Sequence, residues 1–164
     1  MLPLLASQKN EPLQISHAMV FRVLDQFLAL PLDVIVKVSQ EPEALDNVEL
    51  KRDFMMFNDQ FVKLVNLHTL VRQFHTSQSQ QNSLRSSHQV SDPSMKFLIL
   101  AKVHAQYLSG FFIDAVPYML DIPMTSVHPF PMPTNKRVGE ILNHVAILPD
   151  HINKTIFLLN LKNV

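Results

Sequence analysis

The chain has no cysteine and no tryptophan, and only two glycines, Gly110 and Gly139, in 164 residues. Without cysteine there is no disulfide, no thiolate metal site and no cysteine nucleophile. Two isolated glycines do not make the glycine-rich loop whose amides close around a phosphate or a dinucleotide. Neither sign of charge is in excess: 14 basic and 14 acidic residues give a formal net charge of zero. No global field therefore draws the protein to nucleic acid or acidic lipid. Charged residues make up 17% of the chain, against about 25% in an average soluble protein. The longest apolar run, residues 97–103, is interrupted by Lys102, so no segment reads as a membrane span. Residues 1–6 are apolar, but no basic flank precedes them and Gln8-Lys9-Asn10-Glu11 follows. That is too short for a secretory core, and an intracellular location, cytoplasm or nucleus, is expected.

What the chain does have is apolar content, 47% of its residues. A polypeptide of this length is sized for one domain and buries roughly two thirds of its unfolded surface. Disorder throughout is excluded by that composition, and a surface partly covered by a partner fits the low charge fraction.

The pattern of apolar residues points to helices. Leu50, Phe54, Phe57, Phe61, Leu64, His68, Val71 and His75 alternate steps of four and three, the repeat of one helix face. No Gly or Pro follows Pro42 in this stretch, and a helix over residues 46–74 is about 43 Å long. Ser16 can cap a helix reaching residue 30, with Pro31 ending it. Residues 34–38 fit a short helix or a strand. Asp92-Pro93 is a cap followed by Pro at the first helical position, opening a helix to residue 116 that is nearly apolar on every side. Thr134 caps a further helix that Pro149-Asp150 breaks, and a last one covers residues 151–161.

Three segments read otherwise. Residues 1–15 form an extended lead-in, residues 76–91 a mobile polar loop rich in Ser and Gln, and residues 121–133 a Pro-rich loop. The fold expected is an all-α, four- or five-helix antiparallel bundle, a single helical domain over residues 1–164 with one long central helix pair. The spacing of Pro and Phe gives no internal repeat.

Chemistry is hard to assemble from these residues. There is no H-E-x-x-H and no G-x-S-x-G, and no acid or nucleophile is placed beside a base by spacing. On a helix His68 and His75 would lie about 10 Å apart, too far to share one ion. His144, Asp150 and His151 come nearest to a ligand set, but ordinary surface or capping roles account for them. No metal, no cofactor and no catalytic residue is expected. Asp114, among Phe111, Phe112, Ile113 and Val116, needs a partner if it is buried. Lys102 or Arg137 can supply one. Lys136-Arg137 at a helix start is electrostatically misplaced and can touch a phosphate or a partner's acid.

Two motifs suggest contact with other proteins. Phe130 and Met132, set between Pro129, Pro131 and Pro133, suit an aromatic groove or brace this chain's own body. Ser-Gln pairs at Ser7, Ser39, Ser77 and Ser79 are candidate phosphorylation sites. Asn153-Lys154-Thr155 matches a glycosylation acceptor, with no exposure route expected.

The function expected is a non-catalytic helical protein–protein interaction module, an adaptor or a subunit of a larger assembly. Its partner is another protein or a second copy of itself, with no membrane and with nucleic acid unlikely on the charge pattern. The contact residues expected are Phe54, Phe57, Phe61, Leu64, Phe111, Asp114, Phe130 and Met132. The alternatives are a small helical enzyme or apolar-ligand-binding protein with a pocket at Phe111, Phe112 and Asp114, and a nucleic-acid-associated factor whose scattered cations gather on one face.

Overall fold

The computed structural model describes residues 15–40, 53–79, 97–130, 136–149 and 154–163. They are mostly β-sheet: eleven strands in two sheets, with two α-helices. The all-α bundle is thereby overturned.

Strands occupy part or all of each expected helix. The segment from Ser16 to Leu30 is a hairpin of β1 (Ile15–Val23) and β2 (Gln26–Pro31), paired antiparallel about Leu24-Asp25. After a 3-10 turn at Leu32–Val34 comes β3 (Ile35–Ser39), where the strand reading holds. The expected 43 Å helix is β4 (Phe54–Phe57), β5 (Gln60–Val65) and only then a helix, α1 (Leu67–Ser79). The apolar segment after Asp92 is β6 (Phe97–Ala101) and β7 (Leu108–Ile113). Next come β8 (Tyr118–Pro123), a 3-10 turn at Met124–Ser126, and β9 (Val127–Pro129). Of the helix after Thr134 only α2 (Lys136–Ile141) forms, running into β10 (Leu142–Leu148). The last helix is in fact β11 (Lys154–Leu159).

The polar loop placed over residues 76–91 begins inside α1, and residues 80–91 lie outside the described set, as do residues 1–14 and Met132.

One sheet has the order β8-β1-β2-β11-β10-β9, the other β3-β6-β7-β5-β4. The end strands of the first, β8 and β9, are separated in sequence by only the three residues of a 3-10 turn. A flat six-stranded sheet would hold its edges about 24 Å apart, whereas that link reaches about 14 Å even when extended. The sheet must curl, and it does so around Ala18, Val20, Ala29, Ile122, Ala146, Leu148 and Ile156. The second sheet curls around Val62, Leu98, Leu100, Leu108 and Phe112. Its end strands approach closely enough for the Lys37 ammonium on β3 to sit 5.2 Å from the Phe57 ring on β4.

Between the two curls lies a third and larger core. It takes the opposite faces of the same strands (Phe21, Val23, Leu28 and Leu30 from one sheet, Ile99, Phe111 and Ile113 from the other) and closes with Leu67, Leu70, Val71 and Phe74 of α1 and Val138 and Ile141 of α2. Strand β7 is buried at all six positions because it has core on both sides. A doubly covered strand has no polar face to alternate, so in sequence it looks like an all-round apolar helix.

One device recurs at two strand connections, between the sheets after β2 and within the first sheet after β8. Pro31 and Pro123 each end a strand, precede a three-residue 3-10 turn and lead into another strand. Proline suits both places, since it donates no ladder hydrogen bond and its fixed φ starts the turn.

Candidate partner-binding surface

The β4–β5 hairpin is closed by Asn58 and Asp59, whose φ values of 47° and 61° are left-handed. Asn and Asp tolerate that region better than other non-glycine residues, and a two-residue turn of this kind matches the twist of the strands. The register pairs Phe54 with Lys63, Met55 with Val62, Met56 with Phe61 and Phe57 with Gln60. Alternation then separates two faces. Met55, Phe57, Val62 and Leu64 turn inward to the core of the second sheet. Phe54, Met56 and Phe61 turn outward and are 44%, 60% and 51% exposed. Diagonal neighbours across the ladder, the Phe54 and Phe61 rings have centroids 5.1 Å apart. The outcome is a small aromatic platform facing solvent.

Both ends of this platform open into clefts. Beside the turn, a cleft of about 480 Å³ is lined by Val36, Asp59, Phe61, Lys102, His104 and Tyr107 among others. His104 stacks on Tyr107 there, with ring centroids 4.6 Å apart. At the opposite end Asp53, Lys63, Asn66, Thr69, Gln73 and Arg137 line a cleft of about 270 Å³. Asn66 caps α1, its side-chain oxygen accepting the Thr69 amide at 2.9 Å, as an N-cap residue does.

The expected contact residues thus separate. Phe54 and Phe61 reach the surface, and Phe57 and Leu64 are half-buried beneath it. Phe111 is fully buried in the central core and out of a partner's reach in this fold. Phe130 is half-buried in a cluster with Phe74 and Phe157, at centroid distances of 5.6 Å and 5.3 Å, and so braces this chain's own body.

Asp114 pairs with neither Lys102 nor Arg137. One carboxylate oxygen lies 2.7 Å from His68 Nε2, and the other accepts the Leu24 amide at 2.7 Å. His68 is 3% exposed, a buried hydrogen-bonded residue. His75, two turns along α1, meets Asp25 at 2.9 Å. His144 bonds the neighbouring Asn143, while Asp150 and His151 lie outside the described residues. Among the described residues no three of His, Cys, Asp or Glu come together to hold a metal ion. Among them, too, no helix is long and apolar enough to cross a membrane.

Sequence reasoning missed Met56, although its signal was present. Once Asn58-Asp59 is taken as a hairpin turn, alternation places Met56 opposite Phe61 on the same face.

No family model matches the chain, and no curated protein matches it in sequence. Its fold does have solved counterparts. The crystal structure of the scaffolding protein TtCheW from Thermoanaerobacter tengcongensis is similar over 90% of this chain and 90% of that one, at 17% sequence identity and a TM-score of 0.57. The likeness is one of fold: a mostly β architecture that spans nearly the whole of both chains.

Proposed function

We propose that this chain is a non-catalytic adaptor, a scaffold subunit that binds another protein through the outward face of the β4–β5 hairpin. The observation that carries this reading is the exposed ring pair of Phe54 and Phe61, with Met56 beside it. Aromatic and methionine side chains are enriched where proteins meet, and a few such anchors supply most of the affinity. They project from a strand pair backed by its own core, so the platform is rigid before binding and loses little entropy on association. The structurally similar TtCheW is described as a scaffolding protein, which agrees with this role. An intracellular setting fits a chain without cysteine.

The test compares wild-type chain with the Phe54→Ser/Phe61→Ser double variant, each immobilised and exposed to extract from the native source. Circular dichroism and light scattering confirm fold and oligomeric state. The expected result is a protein captured in stoichiometric amount by wild type and lost from the variant. Identical capture by both, or none by either, overturns the proposal.

A further inference from the structure

The first sheet has an open edge beside a cleft. Strand β8 pairs with β1 on one side, and among the described residues no backbone hydrogen bond from another segment reaches its outer edge. Beyond the 3-10 turn, β10 pairs with β9 at His144, Val145 and Ala146, then runs on through Ile147 and Leu148 beside β11 alone. A cleft of about 600 Å³ touches both edges, lined by Asp121 and Pro123 of β8, His128 of β9, and Ile147, Leu148 and Pro149 at the end of β10 among others. A strand edge of this kind is a row of N–H and C=O groups ready to pair with another chain. Pro117 and Pro123 bracket the open stretch and donate no ladder hydrogen bond, so pairing there is confined to residues 118–122. Side chains along β8 alternate: Leu120 and Ile122 pack on the inner core, while Met119 and Asp121 face solvent. Met119 is 71% exposed. Histidine aside, Asp121 is the one charged residue in the cleft lining. One of its oxygens lies 2.6 Å from His17 Nδ1, and the other has no partner among the described residues.

We infer that an extended segment of a second protein adds to the outer edge of β8 as a short strand, with a Lys or Arg opposite Asp121 and an apolar residue two positions away against Met119. Main-chain hydrogen bonds supply the hold, and the two side chains, on one face of the added strand, supply the selectivity. Lys or Arg is the complement of a lone exposed carboxylate, and an acid there would be repelled. The site belongs to the other sheet from the β4–β5 hairpin and does not rest on the reading of that hairpin. The occupant of β8 is distinct from the hairpin's partner, so the chain can hold two proteins at once.

The test selects a random dodecapeptide display library on the full chain and measures the enriched peptides by fluorescence anisotropy. A set of them is expected to carry a Lys or Arg two positions from an apolar residue, and to bind Asp121→Lys at least tenfold more weakly. The milder Asp121→Asn and Met119→Ser should weaken binding measurably, with circular dichroism confirming the fold of each variant. Changing the peptide's base to Glu should restore binding to Asp121→Lys. Within such a peptide, N-methylation of every second amide should abolish binding, while methylation of the amides between is tolerated. Sensitivity to the β8 variants without that alternation means docking by side chains and overturns strand addition. Peptides that answer only to Phe54→Ser/Phe61→Ser overturn the inference and leave the hairpin reading standing. Enrichment of peptides indifferent to the β8 variants, or of none at all, overturns it as well.

Discussion

His68 on α1 and Asp114, just beyond β7, are joined at 2.7 Å in a nearly closed interior, with side-chain exposures of 3% and 14%. The second oxygen of Asp114 holds the amide of Leu24, a residue in the left-handed region at φ 55°. One carboxylate thus ties the helix to the β1–β2 turn and stabilises a backbone conformation that otherwise costs about 1–2 kcal/mol. Asp114→Ala would strand two donors, each at about 1–3 kcal/mol when left unsatisfied. Urea unfolding is expected to show the larger part of that loss, and His68→Ala a smaller one. An Asp114→Ala change under 0.5 kcal/mol would mean the contact is not used.

Gly110 occupies a point of close approach in the second sheet. A Cβ there would lie 2.8 Å from Cγ1 of Val62 and 3.1 Å from Cδ2 of Leu64. Val62 is short and stiff at χ1, so it cannot swing aside cheaply. Gly110→Ala is expected to destabilise by about 1–3 kcal/mol, and Val62→Ala to return part of that in a double-mutant cycle. Additive losses would contradict the clash.

The two faces of the β4–β5 hairpin should answer to different assays. Leu64→Ala removes an inward side chain and is expected to cost about 2 kcal/mol of stability, the low end of the range for cores because Leu64 is half-buried. Phe61→Ala forfeits mainly a ring pair, about 1 kcal/mol, while removing partner binding. Thermal melts beside capture assays distinguish the two. A larger stability loss at Phe61 than at Leu64 would reverse the assignment of faces.

Phe130 joins the segment after β9 to α1 and β11 through Phe74 and Phe157, whose own centroids are 5.1 Å apart. Phe130→Ala is expected to lower stability by about 2–3 kcal/mol, less than a fully buried Phe would, with no effect on capture of a partner. Lost capture at unchanged stability would instead make Phe130 a contact residue.

The residues that misled the reading of the fold are also those on which the proposed site is built. Phe54, Phe57, Phe61 and Leu64 stand at steps of three, four and three, which a helix would place on one side. In a hairpin with a two-residue turn the same steps send them alternately outward and inward. Only the turn distinguishes the two, and Asn58-Asp59 makes it without the glycine or proline that usually marks one. Val, Ile and Phe are dense in Val34–Val38, Phe97–Leu100 and Ile156–Leu159, and that β-branched and aromatic content was the local clue to strands. In β6, core on both sides erased the alternation that would have confirmed it. The partner of Asp114 was not legible at all, because His68 lies 46 positions away and meets it only through the packing of α1 across both sheets.

The central claim is that a protein partner seats on the outward face of β4 and β5, and hydrogen exchange of the assembled complex tests it most directly. The amides of residues 54–63 are expected to slow on binding, while the outer strand β8 keeps its free-state rates. Protection confined to the first sheet, with the β4–β5 hairpin unchanged, would contradict the account.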